Sequence, residues 1–196
     1  MRFILLIITA FILNTCRNRE TSETGPGILQ PTIHAVKDIV ISPRVKTFDL
    51  SPASQHINTG STTPEALLAF AKTLIGTPYK YASTDPAIGF DCSGFITYVF
   101  NHFHIAVPRS SVDFTNIERT VELAAAKPGD LVLFTGTDSS SRIVGHMGII
   151  TSFENGEYHF IHSTSGKAMG VTITALGKYY AFRFVKVIRI FPQNDI

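Results

Sequence analysis

The chain has no tryptophan, only two cysteines, and a formal net charge of just +2 over 196 residues. Its basic residues are scattered, so it lacks the basic stripe that tracks a phosphate backbone, and nucleic acid is excluded as a partner. No apolar run reaches the ~20 residues that cross a bilayer. The two cysteines, Cys16 and Cys92, fall in different parts of the chain. If Cys16 is removed or modified, no disulfide can close within the folded part. Cys92 is then a lone thiol, to be read as reactive, as paired between molecules, or as a buried small hydrophobe. What the chain does have is apolar bulk. It is 44% hydrophobic and carries fifteen phenylalanines, enough to fill the core of one domain.

The N-terminus reads as a targeting segment. Arg2 precedes an uncharged apolar run from Phe3 to Leu13, the pattern of an export signal over residues 1–15. Leu13-Asn14-Thr15-Cys16 resembles a bacterial lipobox, in which the cysteine becomes a lipidated N-terminus. Thr15 departs from the small residue usual before that cysteine. Residues 16–60 are then an anchor cysteine and tether. Arg17 to Gln30 is polar and contains Gly25-Pro26-Gly27, so it should not pack. Ile39-Val40-Ile41 could form an edge strand. The expected location is the cell envelope, on a membrane-anchored lipoprotein facing the periplasm or the outer membrane.

A folded domain is expected over residues 61–192. Thr63 suits a helix N-cap, Pro64 the first helical position, and Glu65 the positive end of the dipole. Leu67, Leu68, Ala71, Leu74 and Ile75 recur at helical spacing until Gly76 and Pro78 stop the helix. A second helix should run from Cys92 to about His104. After Pro128-Gly129 the pattern changes to strands: Leu131–Phe134, Gly145–Phe153, Tyr158–His162, Val171–Thr174 and Phe182–Phe191. Helices first and strands after indicate an α+β fold, with helices packed on an antiparallel sheet of five to six strands.

Cys92 sits where chemistry is favoured. A helix N-terminus presents free N–H groups and a partial positive charge, which stabilise a thiolate and could hold an oxyanion. A thiolate needs a basic partner. Of the seven histidines, His34 and His56 lie in the tether and His102 and His104 lie too far along the second helix. His146, His159 and His162 remain, all on expected strands. Glycines at 145 and 148 would let another element approach His146 closely. The histidines lack the close spacing of a zinc motif, and no metal or cofactor is expected.

Strand parity bears on the choice. His159 and His162 are three apart and face opposite sides of their strand, so only one can share a face with His146. A two-residue Asn155-Gly156 turn would pair Glu154 with Glu157 and put His146 and His162 on opposite faces. A three-residue loop with Gly156 left-handed would shift the register by one and place His146 opposite Thr164, diagonal to His162. Two like charges directly opposed count weakly against the shorter turn. The pattern alone leaves both open.

Six ordered blocks then carry a resemblance: Gly76-Thr77-Pro78-Tyr79, Phe90-Asp91-Cys92-Ser93-Gly94-Phe95, Val107-Pro108-Arg109-Ser110-Ser111, Pro128-Gly129-Asp130-Leu131, Gly145-His146-Met147-Gly148-Ile149 and Phe160-Ile161-His162-Ser163. Over roughly residues 61–192 the chain closely resembles the NlpC family of bacterial cell-wall peptidases. The resemblance implies a papain-like α+β fold with Cys92 as nucleophile, His146 as base and His162 as the third, orienting residue. It thereby favours His162 over His159, and with it the odd-length hairpin loop. It implies a tyrosine near the site at Tyr79. Tyr79, Asp91 and Ser93 are candidates for substrate or oxyanion contacts.

The implied activity is hydrolysis of peptide bonds in peptidoglycan stem peptides, beside D-glutamate or diaminopimelate, through a resting thiolate–imidazolium pair and a thioester. A monomer is expected. Three departures stand out. Tyr81-Ala82-Ser83 replaces a more usual aromatic-Gly-Gly, Phe114 stands where glutamine is frequent, and the His146–His162 spacing is long. Two other readings use the same residues: a non-catalytic envelope binding module, and a thiol amidase or acyltransferase on the same fold.

Overall fold

The computed structural model describes residues 56–196 apart from Glu118. The signal segment, Cys16, the tether and the strand expected at Ile39–Ile41 lie outside the described residues.

Helix α1 spans Pro64–Thr73, and Thr63 caps it by accepting the Ala66 N–H at 3.2 Å. It stops earlier than its apolar spacing suggests, with Leu74 as C-cap, and Gly76 takes φ +89° beyond it. Two short strands follow, β1 (Thr84–Asp85) and β2 (Gly89–Phe90), paired antiparallel. Helix α2 spans Cys92–His102 and opens on Asp91, whose Oδ1 accepts the Gly94 N–H at 2.6 Å. Phe95, Ile96, Val99 and Phe100 form its buried face. Burial of each such side chain is worth about 1.5–3 kcal/mol.

Among the described residues the main sheet has six strands: β3 (Thr120–Val121), β4 (Leu131–Thr135), β5 (Val144–Glu154), β6 (Glu157–Thr164), β7 (Gly170–Ala175) and β8 (Phe184–Ile188). Their order is β3-β8-β4-β5-β6-β7, and every pair is antiparallel. The α+β fold is therefore present as expected. Leu67, Phe95, Val99, Leu133, Met147, Ile149 and Ile161 fill the core on the helical face. A smaller cluster, Val132, Phe134, Ile150, Phe160, Tyr180 and Val187, covers the opposite face. The strand expected from Phe182 begins only at Phe184. Lys178–Arg183 instead forms a short helix, α3, which turns Tyr180 onto that second face.

The β5–β6 hairpin corrects the expected loop. Glu154 pairs with Glu157, so the connection is the two-residue Asn155-Gly156 turn, with φ +53° and +81°. Both central residues are left-handed, as a type I′ turn requires. The opposed glutamates are exposed, where water and salt screen their repulsion. The register shift arises elsewhere. Ser152 pairs with His159 but Ile150 pairs with Phe160, so Thr151 is extruded as a β-bulge. Beyond it Ile149 pairs with Ile161, and the continued register sets His146 level with Thr164. The bulge does the work assigned to a longer loop.

Asp130 closes the turn before β4 by accepting the Lys127 N–H at 2.8 Å. It is fully buried and pairs with Arg189, Nη2 to Oδ2 at 3.0 Å. It belongs to the frame and lines neither cleft described below.

Candidate active site

Cys92 is the first residue of α2, and close packing holds it there. A Cβ on Gly94 would lie 2.0 Å from the Ser83 carbonyl oxygen, so only glycine lets the loop before β1 cross the helix start. The Asp91 carboxylate is engaged from several sides. Besides capping Gly94, it accepts the Ser93 hydroxyl at 3.2 Å and both Arg109 Nη groups, at 3.0 and 2.6 Å. Arg109 Nη1 also donates to Ser93 Oγ at 3.0 Å. Asp91, Ser93 and Arg109 thus form a polar bracket that fixes the helix start. These contacts engage both carboxylate oxygens of Asp91 at the helix start that carries Cys92.

The Cys92 Sγ lies 3.9 Å from the Gly145 carbonyl oxygen, so the start of β5 faces the thiol. His146 follows directly on β5. Two depressions meet at Cys92, Tyr79 and Gly145. The larger, about 1040 Å³, runs past His146 toward β7 and α3. The smaller, about 560 Å³, runs past Ser93 and Arg109. Tyr79 is half-buried between them. Its N–H donates to the Met169 carbonyl at 2.9 Å, which ties it to the β6–β7 loop. Burial, then the neighbouring Cys92 and Asp91, push its phenol up, so it stays a hydroxyl donor at neutral pH.

His146 and His162 meet on one face of the sheet. His146 Nε2 lies 2.8 Å from His162 Nδ1, and both rings are buried. Gly148 permits this approach, since a Cβ there would lie 2.8 Å from the Ile161 carbonyl oxygen and 3.2 Å from His162 Cβ. On the far side His162 Nε2 lies 2.9 Å from Thr174 Oγ1. The three groups form a line. If His146 Nδ1 is to accept a proton, Nε2 carries the hydrogen and donates to His162 Nδ1. His162 then carries its hydrogen on Nε2 and donates to Thr174.

The surroundings favour neutral groups. Burial and the Asp91 charge push the Cys92 thiol up, against the N–H groups of Ser93, Met147 and Cys92 itself. Burial pushes His146 well below the ordinary imidazole value, helped by His162 and Arg183. Burial and Arg183 hold His162 down to about 3. Burial thus works against the expected thiolate–imidazolium pair at both of its members. The helix N-terminus does pull the thiol down, but desolvation is larger.

A sequence profile described as the NlpC/P60 family matches residues 76–189. The chain belongs to the NlpC/P60 family. It is 32% identical over 135 residues to the gamma-DL-glutamyl hydrolase of Bacillus subtilis (strain 168), covering 69% of this chain and 32% of that protein. It is 38% identical over 114 residues to the probable peptidoglycan endopeptidase LytE of the same organism, covering 58% of this chain and 30% of that one. The chain thus spans about a third of the length of each of these relatives. The crystal structure of an NlpC/P60 family protein from Bacillus cereus ATCC 10987 superposes with a TM-score of 0.60 at 26% identity, covering 69% of this chain and 42% of that one.

Two departures from the NlpC/P60 pattern have local explanations. Ala82 takes φ +59° where glycine is usual, a left-handed conformation costing about 1–2 kcal/mol for an L-residue. Phe114, in a 3-10 turn at Ser111–Asn116, is fully buried in the core rather than facing the cleft. His159 faces away from His146. His102 stacks on Phe70 with centroids 3.6 Å apart.

Sequence reasoning missed Thr174, Tyr180, Lys167 and Arg183, all of which line the larger depression. Tyr180 packs edge-on against His162 at 5.6 Å and flat beside His146 at 6.0 Å. Thr174 had one available signal. It shares a face with Thr172, and Thr172 pairs with His162.

Proposed function

We propose that the chain is a cysteine endopeptidase that hydrolyses peptide bonds of peptidoglycan stem peptides in the D-glutamate/diaminopimelate region. The observation that carries this reading is the His146–His162 contact of 2.8 Å, on a β5 whose preceding residue faces the Cys92 thiol. The two Bacillus subtilis relatives, a gamma-DL-glutamyl hydrolase and a probable peptidoglycan endopeptidase, support the substrate class.

His146 Nδ1 takes the thiol proton as Cys92 Sγ bonds to the scissile carbonyl carbon. In this reading the Cys92 backbone N–H and the Tyr79 hydroxyl donate to the developing oxyanion. The C–N bond then breaks, and His146 returns its proton to the leaving amine, which leaves a thioester on Cys92. Water attacks the thioester with His146 as base, the acid departs, and Sγ regains its proton. His162 holds the ring and tautomer of His146 throughout, as the third group of a triad does.

Upstream, Cys16 carries the lipid that holds the enzyme at the envelope membrane. Mass spectrometry of the mature N-terminus should find a diacylglycerol-modified cysteine, and an unmodified terminus contradicts the anchor.

The test of the activity is mass spectrometry of muropeptides incubated with the purified protein beside a Cys92→Ala control. New stem-peptide fragments that vanish in the control are expected. If neither protein cleaves and Cys92 is inert to iodoacetamide, the hydrolase reading falls.

A further inference from the structure

The larger depression is electrically one-sided. Lys167 and Arg183 line it, and among the described residues no aspartate or glutamate does. Arg183 is the more informative of the two. It is buried, at 8% exposure, as is Arg189 at the same value. Arg189 is neutralised by Asp130 at 3.0 Å, and Arg109 by Asp91 at 2.6 Å. Arg183 meets no carboxylate among the described residues. Its Nε donates to the Gly136 carbonyl at 3.0 Å, Nη2 to the Thr135 carbonyl at 2.8 Å, and Nη1 to the Tyr179 hydroxyl at 2.8 Å.

These contacts use three of the five N–H groups a guanidinium offers. All three acceptors are neutral, so the charge itself is uncompensated. Withdrawing an ion from water costs several kcal/mol unless a counter-charge is supplied. Lys167 is exposed on the loop between β6 and β7, against the same depression.

We propose that Arg183 and Lys167 form a carboxylate subsite of this cleft, which binds a free carboxylate of the residue beside the scissile bond. This rests on the hydrolase reading above and deepens it. The carboxylate has two chemical sources in such a peptide: the α-carboxylate of a γ-linked glutamyl residue, or a carboxylate of the diamino acid that follows. Tyr180 separates Arg183 from the histidines, with the guanidinium carbon 5.6 Å from its ring centre. Arg183 therefore reaches the catalytic histidines only through its field.

The test compares three peptides with the full chain: L-alanyl-γ-D-glutamyl-diaminopimelate, its glutamyl α-carboxamide, and its diaminopimelate carboxamide. One amidation should lower kcat/KM by about ten- to a hundredfold, chiefly through KM, and which one identifies the source. Lys167→Gln and Arg183→Gln should each bring the carboxylate-to-carboxamide ratio toward 1. Lys167 is exposed, so its variant carries the test even if Arg183→Gln fails to fold.

A wild-type protein indifferent to both amidations overturns the proposal, as does a ratio unchanged in the Lys167 variant. Should the wild type cleave none of the peptides, calorimetric binding to the Cys92→Ala protein separates the two ideas. A Lys167-dependent preference for the free carboxylate keeps the subsite while the hydrolase reading falls. No preference removes the subsite.

Discussion

Thr174 on β7 stands 2.9 Å from Nε2 of His162 on β6, so the line that begins at His146 ends on a hydroxyl rather than a carboxylate. A hydroxyl can accept from His162 without drawing it toward the charged form. It therefore selects a tautomer while leaving the ring neutral, and His162 can accept from His146.

Thr174→Val keeps the shape and removes the acceptor. A buried N–H left without a partner costs about 1–3 kcal/mol. If that acts on the tautomer of His146, kcat should fall about tenfold or more with KM little changed. Thr174→Ser should restore most of the rate. Equal losses in Val and Ser, or a loss confined to KM, would show that Thr174 only packs.

The pH dependence follows from the two shifts at the reacting pair. The competent form holds one proton between Cys92 and His146. Gaining a second proton is opposed by burial of His146, so the acid limb of kcat/KM should lie below the ordinary imidazole value of about 6.5. Losing the shared proton is opposed by burial of Cys92 and by Asp91, so the basic limb should lie above about 8.5. The plateau between them is expected to be broad, and a narrow bell centred near pH 7 is the contrary result. Stability has its own dependence. His162 folded titrates at about 3, below its unfolded value of about 6.5, so it binds fewer protons folded than unfolded. Its contribution is full above pH ~6.5 and is lost as pH falls toward 3. His162→Gln should flatten that loss in urea titrations.

The bulge makes a further prediction that runs against simple parity. Removing one residue from a strand ordinarily turns every side chain beyond it to the other face. Thr151 is already unpaired, and its Oγ1 has no partner among the described residues. Deleting it should join the Ile150–Phe160 and Ser152–His159 pairs into one regular ladder and keep His146 facing His162. Cys92-dependent turnover should stay within about tenfold of wild type. A folded but inactive deletion variant, judged by circular dichroism, would mean that the bulge aims His146 in a way that register alone does not.

Much of the site was legible because its signals are local. Thr63 and Asp91 cap helices through bonds within three residues, and Asn155-Gly156 makes a turn through its own backbone preferences. Cys92 at a helix start follows from the same kind of evidence. The ion pair of Asp91 with Arg109 was not legible, because its partner lies far along the chain.

The remaining features needed the assembled sheet. The run Ile149 to Ser152 carries no turn residue to announce a bulge. Thr151 is extruded because Phe160 and Ile150 must share the buried face while the type I′ turn holds its own register at the other end. The phase of strand alternation is set from both ends, and the bulge absorbs the mismatch. Phe182 and Arg183 sit at the start of the expected last strand but end α3 instead, and packing of Tyr180 against Phe134 and Phe160 fixes that helix. Arg183 follows from that helix. The sequence determined which residues could react and where the chain could turn, since those depend on neighbours along the chain. The tertiary structure decided which face His146 shares, that its relay ends on Thr174, and that Arg183 enters the cleft with no carboxylate partner among the described residues, since those depend on neighbours across it.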